Sequence, residues 1–313
     1  MGVSPPAPRR SSGSRWRTAA AAAVVLTFFG LALYSRWHDV TTRKWNLEPT
    51  VFALASVLLA TSYVLVAWLW GVALRRAAGL PVARGARIWF LSNLARYVPG
   101  NVWSYVGAVE LARREGVARR TTLAVMALTQ LLSVGVALVV GLPVLVAEWA
   151  RLGRPALYGV AAAAAAAALA LAFRRPLAAL VRRRYPEVEP ADLVPSPGTA
   201  VLLTAGYAVY WAVTGLAFAT LVRSLYPLAA SDVPLAVAAY AAAYAVGFLA
   251  IVTPAGLGVR ESVLTVALAP VMPAGAALLV AILSRLWMMA FELLGAGAAH
   301  AAERRLHRTR EHA

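Results

Sequence analysis

Residues 121–147 carry no charged side chain, and an apolar run of that length satisfies its backbone polar groups in lipid only as a helix. Comparable runs recur at 18–35, 49–74, 156–173, 199–222 and 274–299. The chain is therefore predicted to be an all-α integral membrane protein. Hydrophobic residues make up 61% of the 313 and charged residues 14%, which excludes an ordinary soluble domain. A net charge of +17 would point to nucleic acid in a soluble protein. Here the arginines gather in short segments between apolar runs, the positive-inside pattern, and no nucleic-acid partner is expected.

Charge placement sets the topology. Residues 1–17 read as a disordered basic tail, whose Arg9, Arg10, Arg15 and Arg17 hold the N-terminus in the cytoplasm before an uncleaved first span. Arg75, Arg76, Arg84 and Arg87 precede a mostly apolar stretch, and Arg113, Arg114, Arg119 and Arg120 follow it. Both clusters belong on the cytoplasmic side, so one crossing between them is excluded. A hairpin turning at Pro99-Gly100, with arms of about a dozen residues or roughly 18 Å, reaches half-way into the ~30 Å core. The linker 174–198, with Arg174, Arg175 and Arg182 to Arg184, then divides one transmembrane domain (18–300) into halves 18–173 and 199–300. In the second half, 234–272 breaks at Pro254-Ala255-Gly256 and reads as a hairpin from the outer side. Arg304, Arg305, Arg308 and Arg310 fix the tail 301–313 in the cytoplasm. The expectation is six full spans plus two re-entrant helical hairpins in an inverted-topology repeat, in the cell (inner) membrane with both termini cytoplasmic. Residues 234–252 are long enough to cross fully, which gives eight spans as the alternative.

The two breaks are the candidate site. Proline removes a backbone donor and glycine weakens a helix, so Pro99, Gly100, Pro254, Gly256 and Gly258 are expected hinges whose freed backbone groups need protein or a watery cavity. Charges at membrane depth mark function by default: Arg96 and Glu110 in the first hairpin, Arg260 and Glu261 in the second, Arg285 and Glu292 in the last span. Arg96, Arg260 and Arg285 would form an anion site, helped by the helix N-termini that follow the breaks and by the forked donors of arginine. The competing reading is structural: Arg96 paired with Glu110 or Glu261, and Arg285 with Glu292, seven residues on and on the same helix face. Tyr97, Asn101, Trp103 and Tyr105 surround the first break. There Asn101 suits a helix cap, and Trp103 and Tyr105 suit either an interface belt or a headgroup. Gln130, alone in its span, reads as a bond to a neighbouring helix.

Motifs for other chemistry are missing. The chain has no cysteine, and its histidines, His38, His300, His307 and His312, lie near segment ends. There is no P-loop or HExxH, and Gly256-Leu257-Gly258 lacks the strand that a dinucleotide fingerprint requires. No catalytic residue, metal or cofactor is expected.

Arg96 to Trp103, Gln130, Thr253 to Glu261, Ser284-Arg285 and Glu292 together resemble the flippase-like membrane domain of lysylphosphatidylglycerol synthases, over about residues 50–300. The resemblance implies a lipid flippase, moving an anionic or otherwise charged phospholipid or a polyprenyl-phosphate-linked lipid between leaflets. It also implies a stand-alone member without the aminoacyltransferase domain, so the synthase activity is not carried over. A membrane-embedded lipid-phosphate transferase and a non-transporting partner of a lipid-modifying enzyme are the alternatives.

Overall fold

Proline at the first turn starts two of the long helices, and a left-handed glycine ends one. The computed structural model describes residues 47–93, 103–152, 196–250 and 258–311, with Thr27, Gly30, Leu31, Tyr34, Trp45 and Gly256 besides. The helices are α1 (Pro49–Ala78), α2 (Val82–Asn93), α3 (Trp103–Arg114), α4 (Arg119–Leu152), α5 (Pro197–Leu225), α6 (Val233–Leu249), α7 (Val259–Ala267) and α8 (Ala274–Glu311). A 3-10 turn, Ala230–Asp232, leads into α6. Gly79, at φ +70°, closes α1 by donating to the Arg75 carbonyl at 2.9 Å.

The protein is an all-α membrane protein. Five described segments are long and apolar enough to cross a bilayer: Pro49–Ala78, Arg119–Ala147, Pro197–Leu225, Ala230–Leu249 and Ala274–Ala302. Four of them are expected spans, and the fifth is the first arm of the second hairpin. The spans expected at 18–35, apart from four residues, and at 156–173 lie outside the described residues, as do the tail 1–17 and most of the linker 174–198. Leu131, Val139 and Val201 are 69–71% exposed, as side chains facing lipid should be, while small residues let helices approach one another. A Cβ on Gly71 of α1 would lie 2.4 Å from the Val82 carbonyl oxygen.

Each half runs long, short, short, long. The two short helices of the first half lie antiparallel: Arg84 and Arg87 reach Glu115 at 3.1 and 3.0 Å, and Ser92 packs against Gly107 further along. Both basic clusters are thereby at one end of the pair. In the second half the arms are unequal, 17 residues in α6 and 9 in α7. The long helices α1 and α5 also run antiparallel, because the Glu48 amide at the head of one donates to the Ser224 carbonyl at the foot of the other, at 2.9 Å. Exchanging α1 with α5, α2 with α6, α3 with α7 and α4 with α8 maps the set of packed pairs of these helices onto itself, with α1 and α5 as the central pair. In particular, α4 of the first half packs on α6 of the second, and α8 packs on α2.

Candidate functional site

Between the two halves lies a cavity of about 510 Å³. The second half places its charges there. Arg260 is the second residue of α7, and its guanidinium stands over the rings of Tyr240 and Tyr244, 4.8 and 5.6 Å from their centroids. Met288 Sδ lies 3.9 Å from its Nη2. Among the described residues Arg260 forms no ion pair, because the adjacent carboxylate is turned away. Glu261 Oε1 takes Arg285 Nη1 at 2.7 Å, and Oε2 takes the Gly258 amide at 2.7 Å. The Glu261 side chain is 3% exposed, a buried charge matched on both oxygens, as burial demands.

This arrangement changes three expectations. Arg285 pairs with Glu261, across helices, whereas the seven-residue spacing suggested Glu292 on its own helix. Glu292 instead accepts the Tyr63 hydroxyl at 2.7 Å. Glu110 does not lie in the cavity; it is held at the open end of the first hairpin by Arg113 at 3.0 Å and Arg114 at 3.1 Å, whose hydrogen bonds keep its carboxyl down at about 2. The N-terminus of α7 also has a partner of its own, since the Glu261 carboxylate occupies the Gly258 amide. The backbone there adds less to an anion site than a bare helix start would.

The described residues of the first half line the same cavity with neutral groups at matching positions. Gln130 in α4 and Arg285 in α8 are each the twelfth residue of their helices, counted from Arg119 and Ala274; Ser104 and Arg260 are each the second of α3 and α7. Bonds repeat as well. Trp211 Nε1 donates to the Ser133 carbonyl at 2.8 Å and the Tyr63 hydroxyl to the Met288 carbonyl at 3.5 Å, and all four are the fifteenth residues of α5, α4, α1 and α8. Gln130 donates to the Tyr244 hydroxyl at 3.1 Å, the bond to a neighbouring helix that its isolation suggested, and it also lines the cavity.

Of the residues singled out in the sequence, Tyr105, Gln130, Gly256, Arg260, Arg285 and Glu292 line the cavity. Glu261 stands behind Arg285, Gly258 caps α7, and Trp103 is 48% exposed away from the lining. Arg96, Tyr97, Pro99, Gly100, Asn101 and Pro254 lie outside the described residues. Sequence reasoning missed Tyr63, Asn93, Trp211, Thr214, Tyr240 and Tyr244, because a tyrosine or threonine in an apolar run carries no local mark of which way it faces. The shared register of the halves singles them out only once the bonds between helices are seen. No match is found among curated proteins. The family model for the lysylphosphatidylglycerol synthase TM region matches residues 18–295, nearly the whole chain, and the protein belongs to that family.

Proposed function

We propose that the protein is a lipid flippase of the cell membrane, with the headgroup of a lipid phosphate held in the cavity while its acyl chains stay in the bilayer. The observation that carries this reading is Arg260: a cation in an aromatic-lined cavity between two antiparallel halves, with no carboxylate among the described residues spent on it. A cation so placed is suited to phosphate oxygens. In this reading both helical hairpins are re-entrant, the first from the cytoplasm and the second from outside, and the repeat is inverted across the membrane. Transport is favoured over group transfer because Glu261 has both oxygens engaged, Glu110 lies outside the cavity, and Glu292, which lines it, accepts the Tyr63 hydroxyl. Reconstituted vesicles carrying a labelled anionic lipid provide the test. Exchange between leaflets should be well above that of protein-free vesicles and should fall on Arg260→Gln. Exchange at the protein-free rate across several phospholipids and a polyprenyl phosphate overturns the proposal.

A further inference from the structure

Resting on that reading, we infer that the headgroup is a phosphodiester bearing an uncharged, hydroxyl-rich ring, a cyclic polyol or sugar, and not an aminated group. Three observations carry this. First, among the described residues the cavity is chemically divided by its own pseudo-symmetry: where the second half has Arg260 and Arg285, the first has Ser104 and Gln130. A phosphate is drawn to one wall, and whatever it carries faces hydroxyl and amide groups on the other.

Second, two polar atoms in the lining, Asn93 Nδ2 and Thr214 Oγ1, are buried with no hydrogen-bond partner among the described residues. Thr214 is 2% exposed. Buried polar groups in folded proteins are almost always satisfied, and exceptions call for an explanation. One amide donor from α2 and one hydroxyl from α5 are what a ring of hydroxyl groups would satisfy.

Third, an aminated head is poorly served. Arg260 repels it, Glu261 is committed to Arg285 and Gly258, and Glu292 already takes the Tyr63 hydroxyl. Half-buried aromatic rings such as Trp89, Tyr105 and Tyr210 line the same space. A ring with apolar C–H faces and polar edges matches such a lining, in which each side chain is an apolar body with a polar tip. The volume of about 510 Å³ falls within the roughly 300–1,000 Å³ of ordinary ligand sites.

The test separates this inference from transport by measuring binding of water-soluble headgroups to the detergent-purified full chain. Glycerophosphoinositol, glycerol 3-phosphate and glycerophosphoethanolamine are titrated calorimetrically. Glycerophosphoinositol should bind at least about tenfold more tightly than either of the others. Thr214→Val and Asn93→Leu should each weaken it by about 3- to 10-fold, the worth of one neutral hydrogen bond, while glycerol 3-phosphate changes by less than about twofold by the same reasoning. Arg260→Gln should weaken all three. Thr214→Val removes a buried unpaired hydroxyl and should melt no lower than the parent, so loss of binding there is not loss of fold. Tighter or equal binding of glycerophosphoethanolamine, uniform weakening by the two variants, or no binding of glycerophosphoinositol overturns the inference. Leaflet exchange with no headgroup preference would overturn it while leaving the flippase reading standing. Selective binding without any exchange would do the reverse.

Discussion

At the scale of single residues, the division between Arg260 and Arg285 is the most informative feature, because the two arginines should respond in opposite ways to removal. Arg285 neutralises a buried carboxylate at 2.7 Å. Arg285→Gln leaves Glu261 charged and half-satisfied, a loss of about 3–5 kcal/mol, to be read as lower yield and a lower melting temperature, and relieved in the Arg285→Gln, Glu261→Gln double variant. Arg260 leaves no acid behind. Arg260→Gln gives up cation–π contacts worth about 0.5–2 kcal/mol, so it should melt close to the parent while transport falls. Arg260→Lys, which keeps the charge and loses the fork, should also transport poorly. If Arg260→Gln loses as much stability as Arg285→Gln, Arg260 is structural. Glu110 is a third case: its carboxyl titrates near 2 in place of 4.5. A depressed acid contributes stability that is complete above about pH 4.5 and disappears as pH falls towards 2, and its exposed pair is weak in any case. Thermal melts of Glu110→Gln should therefore fall only slightly below the parent at neutral pH, with the difference vanishing as pH falls towards 2. The sequence marked these charges through their rarity in apolar surroundings. It could not say which acid each arginine meets, since Arg285 and Glu261 come together only when α7 and α8 pack.

At the scale of elements, the second hairpin depends on two glycines that touch. Gly256 sits at φ +69°, where a Cβ would be strained and would also lie 2.6 Å from the Gly247 carbonyl oxygen. Gly256→Val should destabilise by about 1–3 kcal/mol through overpacking alone. It should also shift Arg260, whose Cβ would be 3.2 Å from a Cβ on Gly247. Reduced headgroup binding together with a lower melting temperature is the expected result; an unchanged melt would show that the backbone there relaxes freely. Breaks of this kind were legible because proline and glycine act through local sterics. The lengths of the arms were less so. The first arm, from Ala230 to Leu249, is a full 20 residues, against 9 in α7. Apolar composition fixes where an arm can lie in lipid but not where packing ends it.

At the scale of the molecule, the order of the two halves could be read from charge and hydropathy, while their shared register could not. It needed Tyr63, Trp211, Ser133 and Met288 to be seen bonding as equivalents. The topology that follows has a direct check, because the chain has no cysteine and single cysteines report without background. Ala83, near the start of α2, and Ala118, just past α3, are both exposed, and the salt bridges from Arg84 and Arg87 to Glu115 hold those two ends of the hairpin together. A charged, membrane-impermeant maleimide should therefore label Ala83→Cys and Ala118→Cys from the same face. The arginines flanking them assign that face to the cytoplasm. Ser231→Cys, exposed in the turn before α6, should label from the opposite face. α5, running from Pro197 to Leu225, separates it from the basic linker, and its length makes that crossing complete. Labelling of Ala83→Cys and Ala118→Cys from opposite faces would contradict the salt-bridged hairpin itself. Labelling of all three from one face would leave the hairpin intact and remove the inversion, and with it the two-sided access that a flippase requires.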